Sequence, residues 1–237
     1  MPKIRTLFFF LLLTVLPVMV HASHLNPSRH HQSSSATTTK EVALTFDDGP
    51  YGTSTQDVLD ILAREEVHAT FFLVGKNVEE YPALARQEVQ QGHEVGNHTY
   101  DHSMHLTSMS LQELYAELSK TEEAIASSTG VHTVLFRPPY GRISPILRAE
   151  LHLRGYTPMM WNVDPKDWDE ASTTSDMIVD NVMHHLNSRM IILLHDGRDT
   201  KVGYSRANMI TALPLVIQNL RKLGYTFVTV DGLTKEK

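Results

Sequence analysis

Cysteine is absent from the 237-residue sequence, which excludes disulfide bonds, thiolate metal sites and cysteine nucleophiles. Basic residues are also in the minority. The chain has 21 Lys and Arg against 27 Asp and Glu, a formal net charge of −6, and the basic residues form no cluster. A mildly acidic chain without a basic patch is a poor nucleic-acid binder, so we expect no nucleic-acid partner.

The sequence has one long apolar run, residues 7–20, preceded by two basic residues and followed by a small-residue cleavage site at 20–22. This layout predicts a secretory signal peptide over residues 1–22, and therefore an exported protein. A bilayer span needs about 20 apolar residues, more than this run supplies, so we expect no stable membrane span after cleavage. An uncleaved membrane anchor is the alternative.

Residues 23–40 are rich in serine and threonine and show no apolar periodicity, which predicts a flexible linker. From residue 41 the pattern becomes regular, and no repeat of fixed period is present. We therefore assign one domain to residues 41–237.

Apolar, β-rich segments alternate with amphipathic segments along this domain. The pattern predicts strands at 41–46, 68–75, 93–98, 133–138, 156–164, 190–196 and 226–230, and helices at 54–66, 77–91, 110–128, 144–154, 174–188 and 206–222. Such alternation is typical of a parallel sheet covered by helices. We therefore predict an α/β fold with seven parallel strands, arranged as an open sheet or as a barrel.

Six polar residues fall at the C-terminal ends of predicted strands. They are Asp47, Asp48, His98, Arg137, Asp164 and His195. Active sites of (β/α) barrels form at this edge of the sheet. Helix capping or a turn would explain a single Asp in such a position, but six polar groups at one edge indicate a functional site.

His98 and His102 lie four residues apart in GNHTYDH. On a helical turn this spacing brings both imidazoles to one face, close enough to share an ion. With a carboxylate from another strand end they predict an Asp-His-His site for one divalent metal ion. A three-histidine site that includes His105 is the alternative. The HExxH arrangement of zinc proteases does not apply, because His93 and His98 lie five residues apart.

Asp47 and Asp48 are adjacent in TFDDGP, and two like charges at this distance disfavour each other's ionisation. A divalent cation can keep both carboxylates anionic, one as a ligand and one as a neighbour. We assign the ligand role to Asp48, and Asp47 would take a proton from the attacking water. The ligand set suits zinc and would also accept cobalt, nickel or manganese.

Five ordered segments resemble the motifs of the polysaccharide deacetylase family, also called the NodB-homology or carbohydrate esterase family 4 domain. They are TFDDGP at 45–50, the pair His98 and His102, RPPYG at 137–141, DPKDW at 164–168 and LLH at 193–195. The resemblance covers about residues 41–231. It implies a distorted (β/α)7-type barrel with parallel strands and outer helices. It also implies removal of acetyl groups from N-acetylglucosamine polymers or from acetylated xylan.

For the catalytic groups, the resemblance implies that Asp47 is the general base and that Arg137 pairs with it and holds it anionic. His195 would be the general acid, oriented by Asp164.

The resemblance also implies the metal ligands Asp48, His98 and His102, the same set that the spacing suggests. It further implies that three residues contact the substrate or the transition state. The backbone N–H of Tyr140 would help to bind the oxyanion, and Trp168 and Leu193 would line the pocket for the acetyl methyl group.

The resulting prediction is an exported, metal-dependent N-deacetylase whose partner is an N-acetylated polysaccharide, with peptidoglycan favoured over chitin-type oligomers. An O-acetyl xylan esterase is the first alternative. A non-catalytic sugar-binding module is the second, although no expected catalytic residue is missing. A hydrolase of small cyclic amides is the third, and export argues against it.

Overall fold

The computed structural model describes residues 39–197 and 205–235. The predicted signal peptide and nearly all of the predicted linker lie outside these residues and stay predictions. In the part of the chain that is described, no helix combines the length and the hydrophobicity needed to cross a bilayer.

The described residues form one sheet with helices around it. Its strands are β1 (Glu41–Asp47), β2 (Thr70–Leu73), β3 (Glu94–Asn97), β4 (Leu135–Phe136), β5 (Thr157–Pro158), β6 (Arg189–His195) and β7 (Thr226–Phe227). Its helices are α1 (Gly52–Arg64), α2 (Gly75–Glu80), α3 (Pro82–Gln90), α4 (Leu111–Thr129), α5 (Pro145–Leu153), α6 (Ser175–Met183), α7 (Ala207–Lys222) and α8 (Val230–Thr234).

The strands follow the order β5-β4-β3-β2-β1-β6, with β7 beside the start of β1, and all of these pairings are parallel. Segment 157–163 joins the two edges of the sheet. At its start the Thr157 N–H donates to the Val134 carbonyl, and at its end the Val163 carbonyl accepts from the Leu193 N–H. The sheet therefore curls into a half-barrel, which confirms the predicted distorted (β/α) architecture.

β1 lies between β2 and β6 inside the sheet, and all seven of its residues are buried. Its side chains alternate between two faces. Phe46 stacks on Phe71 of β2 with ring centroids 5.1 Å apart, while Ala43 joins a second apolar cluster with Phe72. Removing one such core phenylalanine side chain costs about 3–5 kcal/mol of stability. This rigid central strand carries the two aspartates at its end.

Several predicted elements are shorter in the structure or are divided: the strands predicted at 68–75 and 133–138 shrink to β2 and β4, and the helix predicted at 174–188 ends at Met183. The helix predicted at 77–91 is two helices, because Pro82 cannot donate a backbone hydrogen bond and instead begins α3. The strand predicted at 156–164 keeps only β5, since the chain then crosses to β6. The strand predicted at 226–230 ends at Phe227, and the Thr229 side chain caps α8.

α4 matches its prediction closely, because both of its ends carry strong signals. Ser110 and Glu113 form a capping box at the start, and Gly130 ends the helix in the left-handed conformation. The helix packs against α2 and α3 and brings Glu117 to the loop that follows β3. Glu117 thereby ties α4 to the loop after β3.

The carboxyl ends of the strands carry the polar residues that the sequence singled out. Asp47 ends β1 and His195 ends β6, and the strand register places these two residues opposite each other. His98 follows β3, Arg137 follows β4, and Asp164 follows the Val163 bridge to β6. The prediction of one polar edge is therefore confirmed.

Candidate active site

Asp47 and Asp48 are adjacent and both buried, at 3% and 4% exposure. Their backbones differ, because Asp47 is the last residue of β1 whereas Asp48 has φ of 72°, in the left-handed region. The Asp48 carbonyl packs so tightly against Gly197 that a Cβ on this glycine would overlap it. The turn after β1 therefore depends on the glycine that follows β6.

Arg137 binds Asp47 from inside the barrel. Its Nη1 lies 2.8 Å from Asp47 Oδ1 and 2.7 Å from the Thr45 hydroxyl oxygen, and its Nε donates to the Met159 carbonyl at 3.1 Å. Burial lowers the pKa of this guanidinium while the Asp47 carboxylate raises it, and an arginine stays protonated in either environment. The structure thus brings Arg137 and Asp47 together, as the resemblance implied.

Asp48, His98 and His102 form the group of side chains within the described residues that could hold a metal ion, with ligand atoms within 4.8 Å of one another. Asp48 Oδ1 lies 3.2 Å from His102 Nε2 and 3.5 Å from His98 Nε2. His98 Nδ1 is bonded to the Arg137 carbonyl at 2.7 Å, which turns its Nε2 towards Asp48.

These three residues fit a divalent cation chemically. Asp48 Oδ1 is buried and has no hydrogen-bond partner among the residues that the structure describes. Burial raises the pKa of Asp48, but the neighbouring imidazoles of His102, His98 and His195 outweigh burial and hold that pKa well below its usual range. A buried anionic oxygen beside two imidazole nitrogens is a suitable ligand set for a metal.

The segment from His98 to His102 is not a helical turn, so the predicted local geometry is wrong. Thr99 and His102 have φ of 67° and 56°, in the left-handed region. Glu117 of α4 holds the turn by accepting the backbone N–H groups of Tyr100 and Asp101 at 2.9 and 3.1 Å. The two imidazole centroids still lie only 4.9 Å apart, because the turn folds back on itself.

His105 does not join the metal-ligand group. Its side chain is exposed and precedes a short 3-10 turn at Leu106–Ser108. The three-histidine alternative is therefore not supported by the described residues.

His195 is paired with Asp167, not with Asp164 as the resemblance led us to expect. Asp167 Oδ1 lies 2.9 Å from His195 Nδ1, and its Oδ2 accepts the His195 backbone N–H at 2.8 Å. Burial lowers the pKa of His195, but the Asp167 carboxylate raises it more, to about 9. The imidazole is therefore a proton donor at neutral pH.

Asp164 has different partners because the chain turns at this point. Its Oδ1 accepts the Lys166 backbone N–H at 2.8 Å and lies 3.3 Å from Trp168 Nε1. Lys166 has φ of 62°, and the turn points Asp167 towards β6 while Asp164 supports the indole. DPKDW contains two aspartates, and sequence reasoning chose the wrong one for His195.

The two adjacent aspartates, both histidines of the Asp-His-His group, Asp164 and His195 line one pocket of about 470 Å³. Its lining includes the three residues expected to contact substrate: Tyr140, Trp168 and Leu193. Leu193 is buried at 3% exposure, whereas the side chains of Tyr140 and Trp168 are 41% and 48% exposed at the mouth. The pocket thus has an apolar floor and two aromatic side chains at its rim.

The RPPYG segment forms a strained turn beside His102. Tyr140 has φ of 57° and Gly141 has φ of 64°, and a Cβ on Gly141 would lie 2.9 Å from Trp161 Cη2. The Tyr140 ring lies 4.7 Å from the His102 ring, centroid to centroid. Gly141 has to be a glycine, because both its left-handed backbone conformation and the nearby Trp161 indole exclude a side chain.

Sequence reasoning missed three residues of the pocket: Trp161, Asp169 and Arg206. Trp161 lies in the segment that crosses to β6, three residues before the end of the predicted strand. Arg206 precedes α7 and carries no motif signal. Only the curled sheet brings these positions to the site.

The fold and the site define a (β/α) half-barrel protein with two ion pairs, Asp47 with Arg137 and His195 with Asp167, and an Asp-His-His cluster at the carboxyl edge of its strands. A family model described as polysaccharide deacetylase matches residues 34–159, more than half of the chain. The chain therefore belongs to the polysaccharide deacetylase family, as the motifs indicated.

Known proteins similar to this chain include two curated relatives and a solved structure. Peptidoglycan-N-acetylglucosamine deacetylase PgdA of Listeria monocytogenes is 37% identical over 202 residues, 85% of this chain and 40% of the relative. The bifunctional xylanase/deacetylase of Pseudobutyrivibrio xylanivorans is 37% identical over 199 residues, 84% of this chain and 31% of the relative. The chain thus spans well under half the length of either protein. The structure of peptidoglycan deacetylase PdaC from Bacillus subtilis shares 36% identity with a TM-score of 0.72, covering 82% of this chain and 90% of that one.

Proposed function

We propose that the protein is a metal-dependent hydrolase that removes N-acetyl groups from a GlcNAc-containing polysaccharide, peptidoglycan in the first place, and releases acetate. The observation that carries the proposal is the convergence of three groups on one pocket: Asp47 with Arg137, Asp48 with His98 and His102, and His195 with Asp167. Amide hydrolysis needs a base, an electrostatic stabiliser and an acid, and these groups can supply all three.

Asp48, His98 and His102 would hold the metal, for which we propose zinc, with cobalt, nickel or manganese as substitutes. When bound, such an ion polarises a carbonyl and lowers the pKa of water. The Asp48 oxygen between the two imidazoles and the His98 tautomer, held by the Arg137 carbonyl, prepare the protein side of this site.

Asp47 is proposed as the base. Arg137 engages its Oδ1 at 2.8 Å, so the carboxylate is held in one orientation. Its Oδ2 lies 3.7 Å from His98 Nε2, beside the proposed ligands. This oxygen would accept a proton from the water whose oxygen bonds to the acetyl carbon.

His195 is proposed as the acid. The C–N bond breaks only when the leaving nitrogen gains a proton, because an unprotonated amide anion is a poor leaving group. Asp167 holds His195 Nδ1, which leaves Nε2 to donate. One proton passes from water to Asp47 and one from His195 to nitrogen, so the products are acetate and a free amine.

Leu193 and Trp168 would enclose the acetyl methyl group, and the backbone N–H of Tyr140 would donate to the oxyanion. The left-handed backbone at Tyr140 and Gly141 supports this role, since such turns aim backbone N–H groups outward from the chain.

Peptidoglycan is proposed as substrate because relatives with this activity cover most of the chain and because the pocket mouth is exposed. The half-exposed indole of Trp168 and ring of Tyr140 suit a polymer lying across the rim. Acetylated xylan is the second candidate, favoured by the similarity to the xylanase/deacetylase. We also propose that the protein is exported; N-terminal sequencing of the secreted form should then begin after residue 22.

The test is acetate release by the full chain from peptidoglycan, N-acetylglucosamine oligomers and acetylated xylan. Each substrate is assayed after chelation and again after adding zinc or cobalt. The proposal is supported if acetate is released from peptidoglycan and N-acetylglucosamine oligomers, and if this release stops with chelator and returns with metal. Release from xylan alone would make the protein an O-acetyl esterase. No release from any glycan, with metal bound stoichiometrically, would favour sugar binding without turnover or another amide.

A further inference from the structure

Arg206 is a buried cation in the wall of the proposed metal site. It is 4% exposed and lines the same pocket as the two aspartates and the histidines. Its Nη2 lies 3.6 Å from Asp48 Oδ2, and its Nε donates to the Gly197 carbonyl at 2.7 Å. Its backbone has φ of 58°, an uncommon conformation for a residue with a side chain.

The two oxygens of Asp48 face different groups. Oδ1 lies 3.2 Å from His102 Nε2 and 3.5 Å from His98 Nε2, whereas Oδ2 faces the Arg206 guanidinium. A carboxylate held on one oxygen by a cation has little freedom to rotate. The Arg206 charge therefore favours the orientation in which Oδ1, and not Oδ2, points towards the imidazoles.

Each of the adjacent aspartates has its own arginine. Arg137 reaches Asp47 from the strand edge at β4, and Arg206 reaches Asp48 from the start of α7. The two guanidinium groups therefore approach the neighbouring carboxylates separately, one from each side of the turn after β1.

We propose that Arg206 is a positioning residue that holds Asp48 so that Oδ1 serves as the metal ligand. This inference rests on the proposed Asp48, His98 and His102 site and assigns that site a further residue. Residues that orient a metal ligand commonly change metal affinity by 10- to 100-fold when they are lost. Arginine suits the task because its planar fork reaches the Gly197 carbonyl and the Asp48 carboxylate together, which the single ammonium of lysine cannot do.

The proposal predicts that loss of Arg206 weakens metal binding, whereas charge repulsion alone predicts that it strengthens metal binding. A positive charge near a cation site disfavours metal binding, so by Coulomb's law alone the loss of Arg206 would strengthen it. If Arg206 acts by holding Asp48, its loss weakens binding instead.

The experiment measures the zinc dissociation constant of the full chain by competition with a chelator. R206M is expected to bind zinc about 10- to 100-fold more weakly than wild type, and R206K is expected to fall between the two. R148M is the matched control, since Arg148 is exposed on α5, away from the site, and its affinity should equal that of wild type. Equal or tighter zinc binding by R206M overturns the proposal.

A merely structural role is separated in two ways. Thermal unfolding of the metal-free proteins shows whether R206M folds; if it does not, R206K carries the test, and an unchanged zinc constant in R206K overturns the proposal. In a protein that already carries D48N, adding R206M should weaken zinc binding little further, because the Asp48 charge that Arg206 faces is already gone. If R206M weakens zinc binding in the D48N protein by as much as it does in wild type, the proposed role of Arg206 is overturned.

The zinc measurement also distinguishes this inference from the proposed function. Wild-type protein that binds no divalent metal would overturn the Asp-His-His site and the role of Arg206 with it. Wild type that binds zinc tightly while R206M binds it equally well overturns only the role of Arg206.

Discussion

Asp167 binds His195 through both of its carboxylate oxygens. Oδ1 lies 2.9 Å from the ring Nδ1, and Oδ2 accepts the backbone N–H at 2.8 Å. The carboxylate is 2% exposed, so it is well shielded from water. This double contact fixes both the tautomer and the direction of the imidazole, and it stabilises the protonated ring.

Replacing Asp167 should therefore impair catalysis more than replacing Asp164. D167N is expected to lower kcat for acetate release by between about 10²- and 10⁴-fold, the usual contribution of a positioned acid. D164N, the matched change three residues earlier, should cause a smaller loss because Asp164 bonds to Lys166 and Trp168 and not to the His195 ring. Steady-state kinetics of both variants on one substrate would check this, and an equal loss would contradict the assignment.

The pH dependence should reflect the raised pKa of His195. Because the ring must be protonated to act as acid, we expect kcat/KM to fall as pH rises through about 9. In D167N the negative charge that raises this pKa is gone, so the basic limb should move to lower pH. Rate profiles of wild type and D167N measure the shift; a basic limb at the same pH in both would refute the role of Asp167.

The same pair contributes to stability with a defined sign. The folded pKa of His195 lies above its usual value of 6.5, so the contribution is complete below 6.5 and is lost as pH rises towards about 9. Urea unfolding of wild type and D167N should therefore differ most in acid to neutral solution and converge above this range.

Substitutions of Asp47 and His98 should have different effects on turnover and on metal binding. D47N is expected to abolish acetate release while metal stays nearly stoichiometric, because Asp47 is a base and not a ligand. H98A should lose both, since it removes a ligand nitrogen. Metal analysis of the two purified variants alongside the acetate assay decides the matter, and loss of the ion from D47N would show that the two aspartates had been assigned the wrong roles.

Glu88 of α3 should destabilise the fold at neutral pH. Its side chain is fully buried, and its two carboxylate oxygens have no hydrogen-bond partner within residues 39–197 and 205–235. Burial, and then the charge of Asp196, raise its pKa well above 4.5. The fold must therefore keep the group protonated above the pH at which the unfolded chain ionises it.

E88Q should accordingly be more stable than wild type at pH 7, with the gain shrinking as the pH falls to about 4.5, the usual pKa of a glutamate. Denaturant unfolding at both pH values measures it. E123Q, on the exposed face of α4, is the matched control and should change little. A destabilised E88Q at pH 7 would mean that the carboxylate has a partner that the glutamine loses.

Local sequence signals predicted most of the fold. The alternation of apolar strands with amphipathic helices identified the seven strands and the main helices, and α4 was the clearest because its caps are encoded within a few residues of its ends. The pattern failed where tertiary contacts decide the path, as in segment 157–163. Its apolar residues read as one strand, but they pair with β4 at one end and with β6 at the other.

The sequence alone determined which residues stand at the carboxyl ends of the strands, because the parallel sheet places those ends at one edge. Asp47, Asp48, His98 and His195 followed from that rule. Only the tertiary structure decided which partners they meet. Asp167 and Asp164 are near-equivalent in sequence, and a left-handed turn at Lys166 separates them. Arg206 reaches Asp48 from the start of α7, a contact between residues far apart in sequence that no local periodicity records.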